Sequence, residues 1–221
     1  MVNTLLQNYD PNFAVVEYHV GDDGYDTPWG DDRGDFFYNI WGDGIPWFAY
    51  DGLFDAWPIN TYETKLQTRL ADPTDVTMTV TGVEQTPETW EITTEVCIEA
   101  GGSDRTMRVY MVQVLDALWV VDGHPNLPAY SRNTFKQAAA TEDVAVVAGE
   151  CAQVMRSFTF DADSMAQIED VKIVAWAQEP AASIPAKAHQ ARVSAWPFIE
   201  TAVFDDGFET GDTLEWTITV P

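Results

Sequence analysis

Apolar and polar positions alternate most regularly at the far end of the chain. There Leu214, Trp216, Ile218 and Val220 are interleaved with Glu215, Thr217 and Thr219, a period of two that predicts a strand with one buried side. The same period recurs from Val76 onward. Val76, Met78 and Val80 alternate with threonines, and Trp90, Ile92, Thr94, Val96 and Ile98 form one face of a longer strand. Gly101-Gly102 predicts a turn into a strand over Met107 to Leu115, with Leu118 to Val121 as its continuation. A short helix is expected over Ser131 to Ala139. Strands are then expected at Val144 to Val147, Cys151 to Phe160, Val171 to Gln178 and Ala191 to Trp196. Strands and turns this dense, with little helix, predict an antiparallel β-sandwich.

The first third has a different texture. Leu5, Leu6 and Tyr9 share one face of a short helix that Asp10-Pro11 stops, and Phe13 to Val20 reads as a strand whose Val16, Tyr18 and Val20 side is the better buried. Thr27 is placed to cap a helix with Pro28 at its first position, running through about Asn39. A glycine-bounded loop, Gly42-Asp43-Gly44, leads to Ile45-Pro46. The proline suits the first residue of a strand because it lacks a backbone donor, and Asp51-Gly52 suits a tight turn because glycine accepts positive φ. Ile59, Tyr62, Leu66 and Leu70 lie at helical spacing, and Asp72-Pro73 ends that helix. The expected organisation is therefore α+β: residues 1–72, a β-sandwich over 73–200, and a tail over 201–221 that carries the last strand.

Charge narrows the partners. The 221 residues include 36 Asp and Glu against 11 Lys and Arg, a net charge of −25, and the isoelectric point is near 4.1. That field repels nucleic acid and anionic membranes, so neither is an expected partner. No run of 18 apolar residues occurs, so no membrane span is expected. The segment Met1 to Asn8 has neither the basic start nor the apolar core of a secretory signal, so the chain reads as cytosolic, processed or incomplete at its start.

Two cysteines are present. Cys97 falls on the strand face that carries Glu91, Thr93 and Glu95, and Cys151 on the face that carries Gln153 and Ser157. Outward cysteines on adjacent strands form either a disulfide, which implies an oxidising compartment, or two unrelated thiols. The acidic loop with Asp22, Asp23, Asp26, Asp31, Asp32 and Asp35 offers carboxylates to Ca²⁺ without the EF-hand spacing, and a solvated loop explains the same residues. Asp205, Asp206, Glu209 and Asp212 in the tail have the same two readings. His19, His124 and His189 are far apart in sequence, so a three-histidine metal site requires a convergence that the sequence does not display. Trp29, Trp41, Trp47 and Trp57 are either packing residues or a surface for a glycan. No catalytic constellation is recognisable: Gly-x-Ser-x-Gly, a phosphate loop and a dinucleotide fingerprint do not occur.

Val15-Val16-Glu17-Tyr18-His19, Tyr25-Asp26-Thr27-Pro28-Trp29-Gly30, Gly44-Ile45-Pro46 and Asp51-Gly52, with weaker echoes at Tyr130, Asn133 and Val174 to Gln178, carry a resemblance. In these residues the chain resembles a secreted bacterial thioredoxin-like family related to an outer-membrane lipoprotein group. The resemblance implies an incomplete thioredoxin-like domain over residues 1–72, with Ile45-Pro46 as the cis bond beside the redox site. Members that do redox work carry Cys-x-x-Cys at a helix start, and this sequence lacks that segment and its central strand. The strand Leu214 to Val220 is a candidate filler, donated within the chain or from a neighbouring copy, and a head-to-tail donation would build a filament. The expected function is thus a non-catalytic extracellular structural or assembly protein that self-associates at the surface of a bacterium. Two alternatives stand beside it: an oxidoreductase relative whose active cysteines lie upstream, and a secreted module that binds a cation or a glycan.

Overall fold

A computed structural model of the chain describes residues 2–9, 13–19, 27–37, 49–55, 61–116, 118–119, 130–182 and 185–199. The elements in order are α1 (Val2–Tyr9), α2 (Pro28–Phe37), β1 (Ala49–Tyr50), β2 (Phe54–Asp55), α3 (Tyr62–Leu70), β3 (Val76–Thr86), β4 (Thr89–Ile98) and β5 (Arg105–Leu115). They continue with β6 (Leu118–Trp119), β7 (Tyr130–Ser131), β8 (Thr134–Ala138), β9 (Glu142–Val146), β10 (Cys151–Thr159), α4 (Ala162–Ala166), β11 (Val171–Gln178) and β12 (Ala188–Ala195). The class is α+β with strands dominant.

Two antiparallel sheets face each other. One has the order β10-β4-β3. The other runs β12-β11-β5-β8, with β9 on the first half of β5. The expected alternation sets the inner faces. Val76, Met78, Val80, Trp90, Ile92, Val96, Ile98, Val154 and Phe158 from the first sheet meet Met107, Val109, Met111, Val144, Ile173, Ala175 and Ala177 from the second in one apolar cluster. Phe198, fully buried, plugs one end against Trp90 and Phe160. Its carbonyl accepts the Gly82 N–H at 2.9 Å, so the chain after β12 covers the edge of β3.

The five-stranded sheet is covered on both sides. Val112, Val114, Phe135 and Val174 point away from the sandwich and are packed by Ala14, Val16, Tyr18 and Trp29. The other side of the 13–19 segment, Phe13 and Val15, packs with Leu5, Tyr50, Tyr62 and Leu66. A strand was expected from Phe13 to Val20. Residues 13–19 are extended, but they make a single parallel bridge, Glu17 to Thr134. There the Glu17 N–H donates to Asn133 O at 3.0 Å and its carbonyl accepts from Phe135 N at 2.9 Å.

The helix expected over Ser131 to Ala139 is corrected. Asn133 turns the chain with φ +51°, and Thr134 to Ala138 then pairs with Leu115 to Val112 as β8. The helix-forming Lys136-Gln137-Ala138 yields to an open edge of β5 that needs partners for its amides. Leu118–Trp119 likewise leaves β5 and pairs with Tyr130–Ser131. Residues 1–72 contribute α1, the extended segment, α2, the β1–β2 hairpin and α3. Their described residues do not display a thioredoxin-like sheet.

Asp116, at the end of β5, ties three elements together. Its carboxylate accepts hydrogen bonds from Arg132 and from Lys172 on β11, while the Arg132 N–H donates to Glu17 Oε2 at 3.0 Å. Burial alone would raise the Asp116 carboxyl, but the bonds from Arg132 and Lys172 outweigh it and hold it at about 2. Between that value and the ordinary 3.8, the unfolded chain binds the proton and the folded chain does not. The ion cluster therefore stabilises fully above about pH 4, and its contribution is lost as pH falls through about 2. Asp116→Asn should cost about 2 kcal/mol near pH 7, and the gap to the native chain should close by about pH 2, as read by urea titrations along a pH series.

Candidate functional site

Among the described residues a densely built polar site lies where α2 and the β1–β2 hairpin meet the outer face of the second sheet. Thr27 supplies the expected cap, its Oγ1 accepting the Gly30 N–H at 3.0 Å, and α2 then carries Arg33 over the sheet. Arg33 is 5% exposed. Its guanidinium carbon lies 4.8 Å from the Tyr110 ring centroid, 5.7 Å from Trp176 and 5.8 Å from Trp29. Tyr110 and Trp176 stack at 4.7 Å, and Trp29 and Phe135 at 5.0 Å. A desolvated guanidinium on aromatic faces gains about 2 kcal/mol. Burial lowers the Arg33 pKa, and the nearby Tyr18 and Tyr110 oppose that shift. Burial raises the Tyr18 hydroxyl well above its usual range despite the neighbouring Arg33 charge.

Gln178 links this cage to the hairpin. Its Oε1 lies 3.5 Å from Arg33 Nη2 and 3.3 Å from Trp176 Nε1, and its Nε2 donates to Ala186 O at 2.6 Å. The Asp51-Gly52 turn closes on the same strip of backbone. Asp51 and Gly52 have φ of +49° and +65°, and Leu53 N donates to Tyr50 O at 2.9 Å, so the expected tight turn is present. Ala186 N donates to Gly52 O at 3.0 Å and Ala188 N to Asp51 O at 2.8 Å. Arg69 on α3 binds both Asp51 and Asp72, and Lys187 reaches Asp72 at 3.0 Å. Nearby, Arg105 joins Asp75 and His189 Nδ1, and burial followed by the Arg105 charge lowers the His189 pKa.

The second site is the outward face of the three-stranded sheet. Cys97 and Cys151 are register partners on β4 and β10 and form a disulfide across a sequence separation of 54, with Cα atoms 4.0 Å apart. Closing a loop of that length restricts the unfolded chain by about 4 kcal/mol. Pro46, the weak Ca²⁺ candidates Asp22, Asp23 and Asp26, and the assembly strand residues Leu214, Trp216, Ile218 and Val220 lie outside the described residues. So do His124, Trp41, Trp47 and Trp57. The X-Pro bond that is cis among the described residues is Trp196-Pro197. Of the tryptophans read as a possible glycan surface, Trp29 packs on the sheet.

Sequence reasoning missed Arg33, Tyr110 and Gln178. The usable signal was Tyr110, Val112 and Val114 on one side of β5, with Val109, Met111 and Leu115 on the other. A strand apolar on both faces has a layer on each.

No family model matches the chain, and no curated protein matches it in sequence. Among solved structures the chain is similar to HBP35 of Porphyromonas gingivalis, at 11% identity over 86% of this chain, with a TM-score of 0.59. The chain spans 61% of that structure's length, and the likeness is one of fold. A domain of the outer membrane lipoprotein Omp28 from the same organism overlaps 55% of this chain and 88% of its own length, at 11% identity and a TM-score of 0.35.

A Cβ at Gly52 would lie 2.0 Å from Ala186 O and 2.4 Å from Gln178 Nε2, and the residue is left-handed. Gly52→Ala should therefore destabilise the chain by at least about 2 kcal/mol, far beyond the usual cost of a surface alanine, as read from its urea midpoint.

Proposed function

We propose that this chain is a non-catalytic structural module of a bacterial cell-surface or extracellular protein. The observation that carries the reading is the Cys97–Cys151 disulfide, which joins the two cysteines of the sequence. A bridge of this kind persists where the compartment is oxidising. The charge of −25 suits a soluble surface in contact with cations rather than with nucleic acid. Two of the buried polar groups near the strand ends are also held by side-chain partners. Gln113 donates to Ser164 and accepts from Gln137, and Asp116 holds Arg132 and Lys172. This is the pattern of a rigid scaffold.

In this proposal the sandwich is the rigid body and the alternating strand Leu214 to Val220 is the assembly element, added to a sheet of a second copy. Repeated head to tail, that contact makes a filament. Residues 1–72 are then the remnant of a thioredoxin-like domain, retained as a covering layer.

Two measurements on one preparation test the reading. In intact bacterial cells, a membrane-impermeant protease should degrade the protein, and alkylation before reduction should find both cysteines blocked. Purified full-length chain should sediment as oligomers, and a chain ending at residue 203 as a monomer. Reduced cysteines in a protected, cytosolic protein would overturn the surface assignment. Identical sedimentation of the two chains would overturn strand donation.

A further inference from the structure

The bridge has one carboxylate beside it, that of Glu95, and Glu91 lies further along the same strand face. Cys151 is exposed and Cys97 partly buried, and a Glu95 carboxylate oxygen and the two sulfurs all lie within 4.8 Å of one another. Gln153 Nε2 donates to Glu95 Oε2 at 2.8 Å, which holds the carboxylate in place. The rows of this face follow from the register: Thr77, Cys97 and Cys151, then Thr79, Glu95 and Gln153, then Thr81, Thr93 and Met155, then Val83, Glu91 and Ser157. No lysine, arginine or histidine occupies any of these positions. Arg156, on the other side of β10, is engaged by Glu142 at 2.7 Å.

The strands do not depend on the bridge for their pairing. β4 is hydrogen-bonded to β10 from Thr89 to Cys97 and to β3 from Thr89 to Ile98. Opening the bridge therefore forgoes about 4 kcal/mol of chain restriction while these backbone bonds remain to hold the strands.

We propose that Cys97–Cys151 is a thiol–disulfide exchange site that selects its partner by charge, admitting cationic thiols, tolerating neutral ones and repelling anionic ones. The incoming thiolate attacks Sγ of Cys151, the more exposed of the two residues. A bond forms between the two sulfurs as Sγ–Sγ breaks, and the electron pair leaves on Cys97 Sγ, which takes a proton from water. A second thiolate attacks the incoming sulfur, forms the small disulfide and releases the Cys151 thiolate, which is protonated in turn. Two thiols are oxidised and the protein bridge gains two electrons. Glu95 acts twice. It repels an anionic attacker and attracts an ammonium carried beside the attacking sulfur. It also disfavours negative charge on Cys97, two residues along the same strand face, and so slows departure of the leaving group. Glu95 is thus a positioning and selecting residue, and no bond to it is made or broken.

The test uses the full chain with cysteamine, 2-mercaptoethanol and 2-mercaptoethanesulfonate. Each rate is divided by that thiol's rate on a small neutral disulfide, and freed cysteines are alkylated and counted by mass. At low salt the normalised rates should fall in that order, with cysteamine about tenfold ahead of the sulfonate. At about 0.5 M salt the spread should shrink to about twofold. Glu95→Gln should narrow the low-salt ratio by about 3- to 10-fold, and Gln153→Glu, which adds a second carboxylate, should widen it. The circular dichroism of the reduced chain should remain that of a folded protein. Equal normalised rates for the three thiols, a ratio that neither variant moves, or unfolding on reduction would overturn the proposal.

Discussion

The side-chain amide of Gln178 is the joint on which the described architecture depends. It is 1% exposed, so its oxygen and its NH₂ both need partners inside the protein. The oxygen lies toward Arg33 from α2 and the Trp176 indole, and the nitrogen reaches Ala186 O. That carbonyl lies where Gly52 must have no side chain. One amide thereby fixes the distance between a helix, a hairpin turn and the backbone leading into β12. An apolar residue of similar size would leave the Ala186 carbonyl and the Trp176 N–H to find other partners.

Around that joint the layers explain one another. The three-stranded sheet has one apolar face and one polar face, so it closes the sandwich on one side only. The five-stranded sheet has Val112, Val114 and Val174 on its far side and needs a cover. The 13–19 segment and α2 supply it, and their own far side, Phe13 and Val15, is covered by α1 and α3. Asp116 repeats the logic at the strand ends, where one carboxylate holds β5, β11 and the turn that pairs with Glu17. Among the described residues nothing packs over the polar outer face of the three-stranded sheet, and the disulfide lies there.

Much of this was legible in the chain because strand alternation is a local signal. The inward face of β4, the span of β11, the Thr27 cap, the Asp51-Gly52 turn and the outward facing of Cys97 and Cys151 all follow from residues a few positions apart. The errors have a common cause. β8 is written in residues that suit a helix and became a strand because β5 offered an open edge. Arg33 reads as one more charge on a polar helix, and its burial depends on Tyr110 and Trp176 arriving from two distant strands beside Trp29 of its own helix. Gln178 closes a run that resembled a known family, but its role comes from Ala186 and Arg33, which no spacing rule connects to it.

The bonds of Gln178 to Arg33 and Ala186, with those of the Asp51-Gly52 turn to Ala186 and Ala188, make α2, the hairpin and the sandwich one cooperative unit. Native-state hydrogen exchange tests this cooperativity at two amides, Ala186 N–H and Ala188 N–H, which donate to the hairpin carbonyls of Gly52 and Asp51. Cooperativity requires that both exchange only through global unfolding, with the same free energy and denaturant dependence as the amides in the middle of β11. Exchange of both through a low-energy local opening, while β11 stays fully protected, would contradict it.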